Sequence, residues 1–335
     1  MSARAQRSPS KGRNVATPQG DGEHHGARSE DVSTGPITYP FRWLKVKNVV
    51  RSSAARVSVA VLAAAAVMIG LVVTLAGSRE SSRSDKSMAT YPLTGVGPGV
   101  LDSVSCSTND TCIAVGREAT GKGSFRALIG SWNGTHWSVG TSPAVTASDS
   151  YLYGVSCPSA TFCMAVGAAS NGTTNGSLIE EWNASVWSIV PSPRVGARTN
   201  TLNGVTCVSA DSCTAVGGYF GNGGLDKTLV ESWNGSKWVV VSSPDIGLAD
   251  QLHGVTCVST TSCLAVGDYV RDVARVYRLL IVSWNGTKWK VESGPSASIP
   301  PSYLQGVSCG LAATCIAVGS HLVGMYTHQL IVRQG

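Results

Sequence analysis

Short runs of β-branched and small apolar residues, separated by polar turns, recur through the C-terminal three quarters of the chain. One complete unit is LNGVTCVSADSCTAVGGYFGNGGLDKTLVESWNGSKWVVVSSP, at residues 202–244. Such runs favour β-strands, so each unit predicts four of them, typified by LNGVTC, C-x-AVG, LIVSW and KWVVV. The Asn-Gly before the fourth strand predicts a hairpin of two or four loop residues, with both flanking tryptophans on one face.

The spacing of these landmarks indicates a regular repeat. The first cysteines of successive pairs lie 51, 50, 50 and 52 residues apart. A period of about 50 residues is typical of solenoids, propellers and arrays. Four units also carry a tryptophan pair, each followed six residues later by a proline: Trp132/Trp137, Trp182/Trp187, Trp233/Trp238 and Trp284/Trp289.

The missing part of the last unit is found at the start of the repeat region. Pro92 lies 14 residues before Cys106, which is the spacing of the later prolines, so residues 84–93 occupy the position of a final strand. At the other end, HQLIVRQG matches RLLIVSWN at 278–285, and the chain ends where the tryptophan hairpin should turn. A linear solenoid needs polar caps instead, whereas a closed ring is completed by a sheet built from both termini.

The fold prediction is therefore an all-β, five-bladed β-propeller over residues 84–335, with about 50 residues per blade and the last blade closed by the N-terminal strand. An open stack or a split sandwich are the alternatives.

A membrane segment is predicted before the repeats. Residues 1–56 contain ten Lys/Arg, four Asp/Glu and few bulky apolar residues, which predicts a disordered basic tail. Residues 57–77, VSVAVLAAAAVMIGLVVTLAG, contain two polar side chains and would span ~31 Å as a helix, enough to cross a bilayer. The positive-inside rule places the tail in the cytoplasm and the repeats outside, in the cell envelope, after a short linker at 78–83.

A cleaved signal peptide is the alternative, with Thr74-Leu75-Ala76 as a small-residue cleavage site. The basic region before it and the apolar run are both longer than signal peptides usually have, so an uncleaved signal anchor is the favoured prediction.

Charge separates the two parts of the chain. The net charge is +6, yet the residues from position 90 onward contain 13 Lys/Arg and 14 Asp/Glu. The repeats are nearly neutral, and the excess of basic residues belongs to the tail and the anchor. A nucleic-acid partner for the folded part therefore lacks an electrostatic basis.

All ten cysteines lie in the repeats. Each pair spans a short turn, so its members can face each other on neighbouring strands, which predicts five disulfides: Cys106/Cys112, Cys157/Cys163, Cys207/Cys213, Cys257/Cys263 and Cys309/Cys315. A compartment outside the cytoplasm permits their oxidation. Zinc is disfavoured, because the spacing is too wide and no histidine recurs with the pairs, and plain buried thiols are the remaining alternative. Neither a metal nor any other cofactor is expected.

The combination of C-x5-C-x-AVG and WNGxxW resembles the tandem repeats of bacterial extracytoplasmic β-propeller proteins, and the resemblance covers Ser84–Gly335. It implies the fold and the location but little about function. SWNGTHW at 131–137 also resembles, more distantly, the Asp-box turn of sialidases, with Asn133 in place of Asp. No sialidase catalytic residue can be placed on this sequence, and the Gly-Gly signature of kelch repeats is not matched.

One position varies in chemistry from unit to unit, between a constant leucine and a Gly/Ser-Val. Its five occupants are predicted to form a ring at the central channel that selects a ligand: Asp102, Tyr153, Asn203, His253 and Gln305. A solvated channel mouth that tolerates any polar residue is the alternative.

No sequence motif of a hydrolase nucleophile, a metalloprotease or a phosphate loop is present. Glu180 and Glu181 are adjacent on a predicted strand and should point to opposite faces. A non-catalytic module that binds an envelope glycan or protein is the favoured hypothesis. A glycan hydrolase or lyase that uses ring residues, with His253 facing Asp102, is a second hypothesis, and a scaffold for a membrane partner is a third.

Overall fold

The computed structural model describes residues 90–121, 123–196, 198–273, 276–294, 301–310 and 314–334. The predicted tail, membrane helix and linker lie outside these ranges, as does most of the predicted closing strand. Within the ranges, no helix has the length and apolar character needed to cross a membrane.

The described residues form nineteen β-strands in five antiparallel sheets, and the strands of each sheet lie in chain order. Sheets 1 and 2 contain β1 (Gly99–Thr108), β2 (Thr111–Ala119), β3 (Phe125–Trp132), β4 (Trp137–Gly140), β5 (Asp149–Ser159), β6 (Phe162–Ser170), β7 (Asn175–Trp182) and β8 (Trp187–Ile189). Sheets 3 and 4 contain β9 (Asn200–Ser209), β10 (Ser212–Phe220), β11 (Asp226–Trp233), β12 (Trp238–Val240), β13 (Ala249–Ser259), β14 (Ser262–Val270), β15 (Tyr277–Trp284) and β16 (Trp289–Val291). Sheet 5 contains β17 (Ser302–Cys309), β18 (Cys315–Val323) and β19 (Tyr326–Gln334). Four strands per repeat are thus confirmed for the first four units.

Five disulfides join the first and second strands of the sheets, and the predicted pairing is confirmed. The Cα atoms of the five pairs are 3.9–4.1 Å apart. The bonded pairs are Cys106–Cys112, Cys157–Cys163, Cys207–Cys213, Cys257–Cys263 and Cys309–Cys315. Within the described part of the chain no cysteine is free, so the alternative of plain buried thiols is wrong.

The second cysteine of each pair belongs to the hydrophobic core, which the sequence analysis did not predict. Cys213 is 2% exposed and packs in one cluster with Met164 and Leu229. Its Sγ also lies 3.8 Å from the carbonyl oxygen of Ser209, but a disulfide sulfur carries no proton, so this approach is a packing contact and not a hydrogen bond. Cys213 and its equivalents are therefore structural residues of the core.

The tryptophan hairpin has a four-residue loop, which decides between the two lengths that the sequence allows. Trp132 lies opposite Trp137, and their ring centroids are 5.7 Å apart. Asn133 organises the loop, because its Oδ1 accepts hydrogen bonds from the backbone N–H groups of Thr135 at 3.1 Å and His136 at 3.0 Å. The asparagine of this motif is therefore a turn-forming residue.

A left-handed residue follows that asparagine in each hairpin. Gly134, Gly235 and Gly286 have φ values of 88–90°, and Ala184 has a φ of 71° at the equivalent position. A Cβ atom in this region costs about 1 kcal/mol, because it approaches the following carbonyl oxygen.

Replacing Ala184 by glycine is therefore expected to raise the free energy of unfolding by about 0.5–1 kcal/mol. Urea unfolding would measure the change, with Gly235→Ala as the reciprocal control, which should destabilise the protein. A loss of stability on Ala184→Gly would contradict the expectation.

The hydrophobic core lies between successive sheets, in interfaces that we call seams. The leucine before the variable position closes each described seam: Leu152, Leu202, Leu252 and Leu304 are each 0% exposed. The tryptophans of one sheet pack against the preceding sheet. Trp233 and Trp238 of sheet 3 belong to one hydrophobic cluster with Met164 and Ile179 of sheet 2. The first strands lie side by side in the order β1, β5, β9, β13 and β17.

The two ends of this series are exposed. Leu101, the equivalent of the four buried leucines, is 46% exposed, and Val104 beside it is 60% exposed. At the other end, Ile316 and Val318 of β18 are 40% and 47% exposed, although the valines equivalent to Val318 are fully buried in sheets 2–4. The fold is thus all-β, with repeated four-stranded antiparallel sheets that are consistent with a β-propeller. Closure between sheets 1 and 5, and with it the blade number, stays a prediction.

Candidate functional site

Each of the five variable residues is the extra residue of a β-bulge, which the sequence analysis did not anticipate. In sheet 2, Leu152 pairs with Gly167 and Gly154 pairs with Val166, so Tyr153 has no residue opposite it. The other sheets show the same register break at the equivalent place. Bulges redirect a side chain and are enriched near functional sites. We call these residues the bulge row: Asp102, Tyr153, Asn203, His253 and Gln305.

The bulge follows from a spacing that the sequence contains. In sheet 2, Leu152 precedes Cys157 by five residues, whereas Gly167 follows Cys163 by only four, and every unit repeats these two spacings. Since the cysteines pair with each other and leucine pairs with glycine, one residue of the first strand must be left over. Each bulge lies beside the glycine of Ala-Val-Gly, where a Cβ would overlap the carbonyl oxygen of the residue before the leucine.

At the seam between sheets 1 and 2, Asp102 and Tyr153 join one cluster through two residues from neighbouring positions. Arg117 Nη1 lies 2.9 Å from Asp102 Oδ2, and its guanidinium carbon lies 5.9 Å from the centre of the Tyr151 ring. Tyr151 in turn stacks on Tyr153, with centroids 6.0 Å apart and ring planes 8° from parallel. The result is an aromatic surface beside a partly exposed ion pair.

The Tyr153 hydroxyl is protonated at neutral pH. Burial raises the pKa of Tyr153 above its ordinary value of 10.0, and the Arg117 guanidinium offsets only part of that rise. Tyr153 is therefore a hydrogen-bond donor as well as an aromatic surface.

The other bulge residues have separate partners. Asn203 Nδ2 donates to the carbonyl oxygen of Leu252 in the next sheet at 2.8 Å. His253 Nε2 lies 2.7 Å from Asp268 Oδ1 within its own sheet. His253 and Asp102 thus each have a partner within their own sheet, and a pairing of the two across the channel stays a prediction. Gln305 is exposed on β17.

Aromatic pairs join neighbouring sheets at two seams, the one between sheets 1 and 2 and the one between sheets 4 and 5. Phe125 of sheet 1 lies 5.9 Å from Tyr151 of sheet 2, and Tyr277 of sheet 4 lies 5.6 Å from Tyr303 of sheet 5. Sequence reasoning did not single out Phe125, Tyr151 or Tyr303, because their positions are not aromatic in every unit. Their signal was the position next to the constant leucine, which holds Tyr151 and Tyr303.

Other buried carboxylates do not converge on the bulge row. Glu180 of β7 is fully buried while Glu181 is partly exposed, in line with the alternation expected along a strand. Glu180 Oε1 accepts a hydrogen bond from Ser142 Oγ at 2.8 Å across the seam, and Ser192 Oγ reaches both oxygens of Glu231 at 2.9 and 3.1 Å. Burial raises the pKa of each glutamate to about 7.

In the described ranges, no three His, Cys, Asp or Glu side chains are grouped as metal ligands.

No protein-family profile and no curated protein matches the chain. Among solved structures, YCF48 bound to D1 peptide is similar at 13% identity and a TM-score of 0.42, over 72% of this chain and 66% of that one. An α-L-arabinofuranosidase from Fusarium graminearum, in complex with an iminosugar inhibitor, gives 10% identity and a TM-score of 0.38 over 70% and 93%. A xylan β-1,4-xylosidase from Bacillus halodurans gives 10% and 0.37 over 72% and 54%. The matched region is just under two thirds of the YCF48 chain. Identities and TM-scores this low assign neither a ligand nor a reaction to this chain.

Proposed function

We propose that this chain is a single-pass, membrane-anchored β-propeller whose repeats lie outside the cytoplasm and act as a non-catalytic binding module for an envelope glycan or protein. The bulge row carries the proposal. It offers five different hydrogen-bonding side chains at one equivalent position, while the residues around that position are nearly constant. A framework that fixes position and varies chemistry is suited to selecting a ligand.

A glycan is the favoured ligand because of the cluster around Tyr153. Stacked tyrosines present an apolar ring face with a hydroxyl at its edge, and the Arg117–Asp102 ion pair beside Tyr151 supplies hydrogen-bonding groups for a sugar. The location is supported by five disulfides, since such bonds persist in oxidising compartments. The anchor at 57–77 lies outside the described residues and rests on its hydropathy alone.

A thermal-shift screen of the oxidised protein against envelope glycans tests this function. A ligand at 100 times its Kd should add about 2.7 kcal/mol, which is several degrees of Tm for a domain of this size. We expect Tyr153→Ala to abolish the shift and Lys237→Ala, in an exposed hairpin, to retain it. A shift that survives Tyr153→Ala and His253→Ala would reject the bulge row as the site. No shift across the panel, with the protein folded, would favour a protein ligand.

A glycan hydrolase or lyase is a second candidate because of the contact between His253 and Asp268. A carboxylate hydrogen-bonded to one ring nitrogen of a histidine orients the ring and fixes which nitrogen carries the proton, as a general base requires. Turnover of a bound glycan, lost in both His253→Ala and Asp268→Asn, would favour this candidate. Binding without turnover would leave the binding module.

A further inference from the structure

A cavity opens beside β3, next to the cluster around Tyr153. Its volume is about 410 Å³, within the range of about 300–1,000 Å³ that is typical of small-molecule sites. It lies between β3 and the segment 141–148, which connects β4 to β5. We call it the outer cavity, and its polar and aromatic lining consists of Glu118, Phe125, Arg126, Thr141, Ser148 and Ser150.

A comparison of the repeats explains why this space is open in sheet 1. In sheet 3, Asp245 takes the place of Ala144. Its carboxylate lies 3.2 Å from Lys227 Nζ and accepts a hydrogen bond from the Thr228 N–H at 2.8 Å. Sheet 1 keeps a basic residue, Arg126, at the place of Lys227, but it has alanine at the places of Asp245 and Thr228. These shorter side chains leave room for a ligand.

An ion pair supplies the charged part of the lining. Arg126 Nε lies 2.6 Å from Glu118 Oε1, and Glu118 Oε2 accepts a hydrogen bond from the Gly97 N–H at 2.9 Å. Glu118 is 3% exposed, whereas the Arg126 side chain is 66% exposed. The buried carboxylate holds the guanidinium through Nε, so its two terminal amino groups can donate to a ligand. Because the pair is neutral as a whole, it suits uncharged polar groups better than an anion.

Phe125 connects the outer cavity to the bulge row. Its side chain lines the cavity, and its ring lies 5.9 Å from the Tyr151 ring. Tyr151 in turn stacks on Tyr153 at 6.0 Å. Three partly exposed rings thus follow one another from the bulge row to the cavity. An arginine–carboxylate ion pair lies at each end of this series, Arg117–Asp102 and Arg126–Glu118.

The apolar part of the lining indicates which substituent the cavity accepts. Val139, Pro143, Ala144 and Val145 line it together with Arg126 and the hydroxyl groups. An acetamido group fits such a boundary, because its methyl group packs against apolar side chains while its amide forms hydrogen bonds.

We propose that the glycan bound at the bulge row is a linear chain of N-acetylated amino sugars, which runs outward over Tyr151 and Phe125 into the outer cavity. This inference rests on the proposed function and adds the class of glycan to it. A single sugar on Tyr153 would leave two rings and the cavity without a ligand. A chain uses all of them, because each unit repeats an apolar ring face with polar groups at its rim.

Binding as a function of chain length tests the proposal. The probes are N-acetylglucosamine and its β-1,4-linked oligomers from the dimer to the hexamer, titrated calorimetrically into the oxidised full-length protein. We expect the hexamer to bind at least tenfold more tightly than the dimer, because only the longer chain reaches the outer cavity. Glucose oligomers of the same linkage and length lack the acetamido group and should bind at least tenfold more weakly. Equal binding of both series would overturn the proposed class of glycan.

Two variants locate the chain. Phe125→Ala removes the ring that leads into the outer cavity, and Ala144→Trp fills the cavity from an exposed position. Each should weaken hexamer binding at least tenfold and change dimer binding by less than about twofold. Tyr277→Ala is the matched control, because Tyr277 takes the place of Phe125 in sheet 4 and contacts Tyr303 across the next seam. It should leave the binding of both oligomers unchanged.

The outcomes separate this inference from the proposed function. If the dimer and the hexamer bind equally well, or if hexamer binding survives both Phe125→Ala and Ala144→Trp, the inference is overturned and the bulge row takes a short glycan. Weakening by Tyr277→Ala alone would also overturn it, by placing the chain at the seam between sheets 4 and 5. If no oligomer of N-acetylglucosamine binds the folded protein, the inference is overturned, and the thermal-shift screen of other envelope glycans decides the proposed function separately.

Discussion

Leu101→Ala is expected to lower the free energy of unfolding by about 2–5 kcal/mol, as much as Leu252→Ala, although Leu101 lies at an end of the described series of sheets. Leu252 is 0% exposed and Leu101 is 46% exposed. Deleting a buried leucine side chain loses its transfer free energy and leaves a cavity, whereas deleting an exposed one costs little. The two values therefore agree only if sheet 5 covers Leu101 in a closed ring.

Equilibrium urea unfolding of the oxidised protein would measure both changes. Leu225→Ala is the matched control, because Leu225 is 39% exposed in the β10–β11 connection, where closure would bury nothing. We expect this control to change stability by less than about 1 kcal/mol. If Leu101→Ala behaves like Leu225→Ala, the propeller is open and the bulge row is an arc.

The fold was largely predictable because the landmarks of the repeat are local. A cysteine pair across a short turn and an Asn-Gly between tryptophans fix hairpins that need no distant contact. Closure was harder, because its prediction joins the two ends of the repeat region, which are far apart in the chain. The sequence indicates this closure only by counting landmarks.

The candidate site was predictable in position but not in geometry. Comparing units identified Tyr153 and its equivalents, yet the bulge that redirects them is a property of strand pairing and had to be deduced from two unequal spacings. The contacts of these residues could not be predicted from the repeat pattern. Arg117 and Asp268 occupy one equivalent position in sheets 1 and 4, but they bind opposite kinds of group, an aspartate and a histidine.

The two buried glutamates predict the second large effect, a stability that falls as pH rises. An ordinary glutamate carboxyl has a pKa of 4.5, and burial raises those of Glu180 and Glu231 to about 7 in the folded protein. Between pH 4.5 and 7 the folded state thus keeps protons that the unfolded state has lost. The contribution of these protons to the free energy of unfolding is present in full below pH 4.5. It declines as the pH rises and is gone above about pH 7.

Raising the pH from 5 to 8 is expected to lower the free energy of unfolding by about 2–3 kcal/mol for each carboxyl. The packing explains why. Ser142 Oγ satisfies one oxygen of Glu180, while the other is buried without a hydrogen-bond partner in the described part of the chain, so the neutral acid fits the seam better than the anion.

Glutamine at both positions should remove most of this pH dependence, because its amide keeps the shape and the serine contact without a charge. Urea unfolding at pH 5 and pH 8 would measure it: Glu180→Gln/Glu231→Gln should match the parent at pH 5 and exceed it by about 5 kcal/mol at pH 8. Glu181→Gln, one residue along β7 and partly exposed, is the control and should change the profile far less. An unchanged pH profile in the double variant would mean that both seams accept the ionised carboxylate. The serine hydroxyls would then stabilise the charged form of each glutamate.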